Sequence, residues 1–207
     1  MTMTAEDIAR TLIDRAGDKR RFIVAIAGPP GAGKSTLADE LAVSFKTLGE
    51  SVEVLPMDGF HMDNGVLQEK VLLTRKGAPE TFDVRGFLDI IRAVRVAEGE
   101  VLVPVFDRSR ELAIAAARII DVSTRFVLVE GNYLLLDRAP WSSLEGQFDY
   151  AILISPPVAT LEERLMDRWR GYGLSEEAAR AKTQDNDLKN GALVRDHCRG
   201  ADIILTD

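Results

Sequence analysis

An α/β fold around a central, mainly parallel sheet is predicted by three observations. Apolar runs at 22–27 and 125–129 read as buried strands, and such strands alternate along the chain with segments of helical spacing. The first run passes directly into GPPGAGKST at 28–36, and that turn leads into a helix over 34–45. At 207 residues and 46% hydrophobic composition, the chain suits a single domain, 1–207, with a substantial core.

The turn fits G-x-x-x-x-G-K-[ST], the pattern of a phosphate loop. Its chemistry requires a strand, a glycine-rich turn and a helix in that order. Turn amides and the helix N-terminus then present N–H groups and partial positive charge to a polyphosphate. Pro29 and Pro30 have no N–H, so Gly28 closes the strand and the cradle runs through Gly31, Ala32, Gly33, Lys34, Ser35 and Thr36. Lys34 is expected to reach the β- and γ-phosphates, and the Ser35 hydroxyl to sit on a magnesium ion bridging them. The fold expected is therefore the three-layer P-loop NTPase fold with a helical lid.

The remaining elements follow from period and punctuation. Residues 5–16 carry Ile8, Leu12 and Ile13 on one side and read as a packing helix, while Leu37, Leu41 and Phe45 recur every four residues in the loop helix. A glycine stop at 46–50 precedes a second strand over 51–57, which ends at Asp58. Residues 58–82 read as a loop with a short helix near 64–73, and so long a connection in a compact domain is usually functional. Phe87, Ile90, Ile91 and Val94 mark a helix over 87–97. Short strands at 101–106 and 118–121 suggest a small subsidiary sheet, giving an acceptor-side insertion at about 58–121. A strand at 148–154, a proline-initiated helix to about 170, a helix opened by Ser175 and a strand at 201–205 complete the chain, with a lid at about 164–178.

Composition narrows the partners. A net charge of −7 argues against a nucleic acid polymer, which requires a broad basic surface. No run approaches the roughly 18 apolar residues of a membrane span, and the N-terminus lacks a signal-peptide layout, so a cytoplasmic protein is expected. One cysteine and two histidines leave no Cys/His metal cluster, so a metal would arrive with the nucleotide. Self-association into a homodimer is left open.

Phosphoryl transfer to a hydroxyl needs a base, a metal-site acid and cations around the moving group. Asp58 follows a strand and precedes Gly59, which would allow close approach to a ligand; it reads as the base, or as a turn cap. Glu130 ends an apolar strand, where a carboxylate needs a partner such as a magnesium-bound water, or is an ordinary strand-end charge. Arg164 and Arg168 share a helix face beside Gly171-Tyr172-Gly173 and read as lid cations, or as a solvated face paired with Glu163 and Asp167. His61, Asp83 and Arg85 are weaker candidates for gripping the acceptor. Asn186 and Asn190 share a face that either binds ligand or ties a helix to a loop.

The ordered set GPPGAGKS, MDGFHMDNGVL, GAPETFD, VPVFD, VEGNYLLL, RLMDR and ADIIL, spanning about 22–205, resembles the uridine kinase, phosphoribulokinase and bacterial pantothenate kinase family. That resemblance implies a P-loop kinase using ATP and Mg2+, with Asp58 as base, Glu130 as magnesium-site acid, Asp83 as an acceptor hydroxyl contact, and Arg164 and Arg168 as lid cations. Where uridine kinases follow the equivalent of VPVFD with a His-x-Arg pair that reads the base, this chain has Arg108-Ser109-Arg110. Where pantothenate kinases have Tyr-Ser-His, it has Phe106-Asp107-Arg108. The overall pattern is similar to a nucleoside-kinase-like subgroup sometimes labelled fructose transport system kinase. The implied acceptor is a small hydroxyl compound: a sugar, a nucleoside or a pantothenate-like metabolite. A GTPase would need a guanine-reading N/T-K-x-D element, and the chain has Gln184-Asp185-Asn186-Asp187 instead. An ATP-binding or ATPase regulatory module without an acceptor is the alternative, because a phosphate loop alone does not specify transfer.

Overall fold

The computed structural model describes residues 3–206. Among the described residues seven strands occur in two sheets: β1 (Phe22–Ala27), β2 (Val52–Pro56), β3 (Val101–Asp107), β4 (Leu112–Ile120), β5 (Phe126–Gly131), β6 (Tyr150–Ile154) and β7 (Ile203–Leu205). Five of them form a parallel sheet in the order β2-β5-β1-β6-β7. Every residue of β1 and β5 is buried, as expected of strands covered on both faces. On one face Ile8 and Leu12 of α1 (Ala5–Ala16), Leu41 and Phe45 of α2 (Lys34–Thr47), and Leu161 and Leu165 of α5 (Val158–Gly171) pack against Val24, Ile26 and Leu128. On the other, Phe87, Ile91 and Val94 of α4 (Val84–Val96) join Trp141 and the Val194 side chain of α7 (Leu188–His197) against Ile23, Ala25 and Val127. Full burial of each large side chain stabilises the layer by about 1.5–3 kcal/mol.

Local chemistry starts these helices where the apolar faces require it. Thr4 and Asp7 form a reciprocal capping box on α1, Thr4 Oγ1 accepting from the Asp7 amide at 3.2 Å and Asp7 Oδ2 from the Thr4 amide at 3.0 Å. Asp83 caps α4, accepting from the Gly86 amide at 2.9 Å. Parallel register then brings the carboxyl ends of three strands level, Glu130 of β5 lying opposite both Ile26 of β1 and Pro56 of β2. Ligands of open parallel sheets gather at such an edge.

Three stretches differ from the sequence reading. The strand expected at 118–121 is the end of the nine-residue β4, which pairs antiparallel with β3 in a hairpin. Its middle, Ala-rich and exposed, lacks the apolar alternation by which a strand is recognised. The segment 58–82 is more regular than a loop. It holds a 3-10 turn at Met57–Phe60, α3 (Asn64–Glu69) and two further 3-10 turns, and is fastened by Tyr133 Oη donating to Gly77 O at 2.7 Å and Trp141 Nε1 donating to Pro79 O at 3.1 Å. After α6 (Glu176–Lys182) the chain makes a π-helical turn at Thr183–Asp187 before α7. Among the described residues no helix is long and apolar enough to cross a membrane.

Gly59 serves the hairpin rather than a ligand. A Cβ there would lie 2.4 Å from Pro104 O and 2.7 Å from its carbonyl carbon, both backbone atoms that cannot rotate away. Gly59→Ala should therefore push β3 off the turn that carries Asp58, costing about 1–3 kcal/mol as overpacking does. Thermal unfolding should show a lower midpoint; an unchanged midpoint would mean the two backbones are not held in this contact.

Candidate functional site

The phosphate loop closes between β1 and α2. Gly33 is the N-cap of α2 with φ +95°, a left-handed conformation that only glycine adopts without strain, so the loop can turn its amides inward. Lys34 is buried, and its Nζ donates to Pro29 O at 2.9 Å across the loop. Behind it stands Glu130, also buried, whose Oε2 accepts from Ser35 Oγ at 3.3 Å. Asp58 lies on the 3-10 turn after β2 and shares one cavity with these three residues.

Burial sets the charge state of this group. Removal from water pushes the Lys34 ammonium down to about 8, outweighing the attraction of Glu130 and Asp58. Burial pushes Glu130 up to about 7; the Asp58 charge adds to the rise, and Lys34 and the Ser35 hydroxyl only partly oppose it. Neither group finds enough opposite charge within the protein.

Two cavities meet at the loop. The inner one, about 140 Å3, holds Lys34, Ser35, Asp58, Glu130 and His61. The outer one, about 660 Å3, runs past Ala32, Gly33, Thr36, Leu37 and Arg164 to the end of β7. Gly31 and Arg168 line both. Gly28 lies beneath, its Cα facing Ile154 O of β6. Arg164 Nη1 donates to Ala32 O at 3.4 Å, and among the described residues neither Arg164 nor Arg168 forms an ion pair. Both are exposed, as is Arg170, which pairs with Asp167 and Glu176.

The other sequence candidates divide. His61 lines the inner cavity, its ring tilted against Phe82 and Phe106 at centroid distances of 4.1 and 4.7 Å. Its Nδ1 donates to Asp58 O at 2.8 Å, and burial lowers its basicity despite the adjacent Asp58. Asn186 also lines the cavity, but its amide donates to Lys76 O at 3.2 Å and its carbonyl accepts from Asn190 at 3.3 Å, so it ties the π turn to the 58–82 segment. Asp83 and Arg85 are not brought to the cavity. Asp83 is exposed as the cap of α4, and Arg85 is 93% exposed opposite Asp89, because α4 begins one turn earlier than its apolar pattern suggests.

Sequence reasoning missed several polar residues of the inner cavity, among them Arg108, Lys76, Trp169 and Asp187. Arg108 pairs with Asp58 from the β3–β4 turn, and Lys76 lies beside it. Trp169 Nε1 donates to Asp187 Oδ2 at 2.7 Å, where burial raises the Asp187 carboxyl. The pairing of Arg108 with Asp58 spans 50 positions, and no local period reports it. Trp169, by contrast, is a large side chain beside the predicted lid cation Arg168, a signal available in the sequence.

A parallel sheet with a phosphate loop after its central strand and an acid at the end of the adjacent one defines a P-loop nucleotide-binding protein. Comparison with known proteins narrows this. The family model for the methylmalonyl Co-A mutase-associated GTPase MeaB matches residues 1–86, the part that carries the loop. A crystal structure from Silicibacter sp. TM1040, provisionally described as a fructose transport system kinase, is 41% identical, with a TM-score of 0.92 and 98% of each chain covered. The uncharacterized protein YggC of Escherichia coli is 38% identical over 190 residues, 90% of this chain and 78% of that one. The provisional uridine kinase C227.14 of Schizosaccharomyces pombe is 30% identical over 210 residues, 97% of this chain and 89% of that one. The chain belongs to the P-loop kinase family of uridine kinases, phosphoribulokinases and bacterial pantothenate kinases.

The residues present fit MgATP. Lys34 and Glu130 are desolvated charges without full partners, and the cradle opens onto both cavities. Among the described residues no three His, Cys, Asp or Glu side chains gather to hold a metal by themselves, so phosphate oxygens would complete a shell begun by Ser35 and Glu130.

Because the folded protein holds the Glu130 proton more tightly than the unfolded chain does, stability should fall as pH rises from about 4.5 to about 7. A shift of this size corresponds to about 3 kcal/mol. Glu130→Gln, which cannot ionise, should flatten the dependence of the unfolding midpoint over pH 5–8 in ligand-free protein. An identical slope in both proteins would show that Glu130 is not a strained, desolvated acid.

Proposed function

We propose that the protein transfers the γ-phosphoryl group of ATP to a hydroxyl of a small metabolite, with Asp58 as general base. The observation that carries this reading is the sharing of one cavity by Asp58, Lys34, Ser35 and Glu130, brought from three positions along the carboxyl edge of the sheet. MgATP supplies the phosphoryl group and the metal charge. The outer cavity has room for the nucleoside, and the amides of residues 31–36 with Lys34 hold the phosphates. Ser35 and Glu130 would hold the metal, which would supply positive charge to the phosphates. Arg168, common to both cavities, and Arg164 act as lid cations that bring positive charge to the transferring group. Asp58 accepts the acceptor's hydroxyl proton as the oxygen attacks, and His61, whose Nδ1–H is committed to the Asp58 carbonyl, offers Nε2 to a second hydroxyl.

Asp58→Asn keeps the shape of the side chain and removes the proton acceptor. MgATP affinity should persist while acceptor-dependent ADP formation falls by about 10²-fold or more. Calorimetric titration with MgADP alongside turnover separates the two effects. Equal losses of affinity and rate would remove Asp58 from the role of base.

A further inference from the structure

The acceptor end of the inner cavity is built for an anion. Arg108 reaches Asp58 with Nη2 alone, and among the described residues its Nε and Nη1 have no hydrogen-bond partner. The pair is accessible, with side chains 51% and 24% exposed, and an accessible ion pair of this kind is weak enough to exchange for another anion. Lys76 lies beside it, its charge balanced by Glu111. Its ammonium is fully committed, donating to Asn64 Oδ1 and Glu111 O at 2.8 Å each and facing the Glu111 carboxylate at 3.3 Å, so Glu111 is already neutralised. Both cations lie over the ring of Phe106, Lys76 Nζ at 5.1 Å and Arg108 Cζ at 5.3 Å from its centroid.

The same packing excludes a nucleobase from this end. A base needs a free aromatic face, yet Phe82 and Phe106 hold His61 between them, and the two cations lie over Phe106.

We infer that the acceptor is a compact hydroxyl compound carrying a carboxylate or phosphate, and that Arg108 leaves Asp58 to hold that anion. Such an exchange both binds the acceptor and releases the base for the acceptor's hydroxyl. The inference rests on the kinase reading above and narrows it. A planar guanidinium with two free donor directions suits carboxylate and phosphate oxygens alike.

The test uses matched triples: glycerol, glycerate and glycerol 3-phosphate, and ribose, ribonate and ribose 5-phosphate, with uridine beside them. ADP formation from MgATP is followed with the full chain and with Arg108→Ala and Arg108→Lys. An acidic member should exceed its neutral partner at least tenfold in kcat/KM. The advantage should vanish in Arg108→Ala through KM and return in part in Arg108→Lys. Whether the carboxylate or the phosphate member leads identifies the anion. Equal or better turnover of the neutral sugars or uridine would overturn the inference while leaving the kinase reading intact. So would triples that do not separate, or an advantage that survives Arg108→Ala in a protein with an unchanged unfolding midpoint. Failure of the kinase reading is read separately, as MgADP giving no Lys34-dependent thermal stabilisation.

Discussion

The desolvated charge group of Lys34, Glu130 and Asp58 is the constraint on which the rest of the site depends. A buried lysine and a buried glutamate within one fold are costly unless the geometry compensates, and here each is shifted toward its neutral form because burial outweighs their mutual attraction. The parallel sheet makes the arrangement unavoidable. Level strand ends bring the loop after β1, the turn after β2 and the last residues of β5 to one edge, and helices on both faces exclude water from it. A ligand that carries both phosphate charge and a divalent cation, as in the proposed function, would offset this cost.

What the sequence made legible is what local pattern encodes. The strand, the loop and the helix that bear Lys34 and Ser35 occupy consecutive residues, and each has its own signal: an apolar run, glycines, and apolar positions four apart. Glu130 was legible for a related reason, as an acid closing an apolar run has few structural roles. Asp83 shows the opposite limit. Its sequence context suggests an acceptor contact, yet the physical role visible in the fold is to accept the Gly86 amide and start α4. Arg108 and Lys76 were illegible because their meaning lies in a hairpin folded over the Met57–Phe60 turn, and that hairpin was itself obscured by the alanine-rich middle of β4.

Family membership and local geometry contribute different things. The relatives fix the P-loop kinase class, and the fold brings Lys34, Ser35, Glu130 and Arg168 to one cavity. The acceptor end is where this chain speaks for itself. The ring pair around His61 and the two cations over Phe106 make up that end, and the inference of a compact anionic acceptor rests on them. Asp58, held by Arg108 and presenting its backbone carbonyl to His61, joins that end to the phosphate loop.

The most direct test of the central claim is the proton balance of nucleotide binding, measured by calorimetry with MgADP in buffers of different ionisation enthalpy. Magnesium and phosphate favour ionised Glu130 and protonated Lys34. Binding should therefore release about half a proton near pH 7 and take up a similar amount near pH 8, since Glu130 titrates at about 7 and Lys34 at about 8. Glu130→Gln should abolish the release and keep the uptake. A binding enthalpy independent of buffer at both pH values would contradict the account, because it would mean that neither charge is held out of water in wait for the nucleotide.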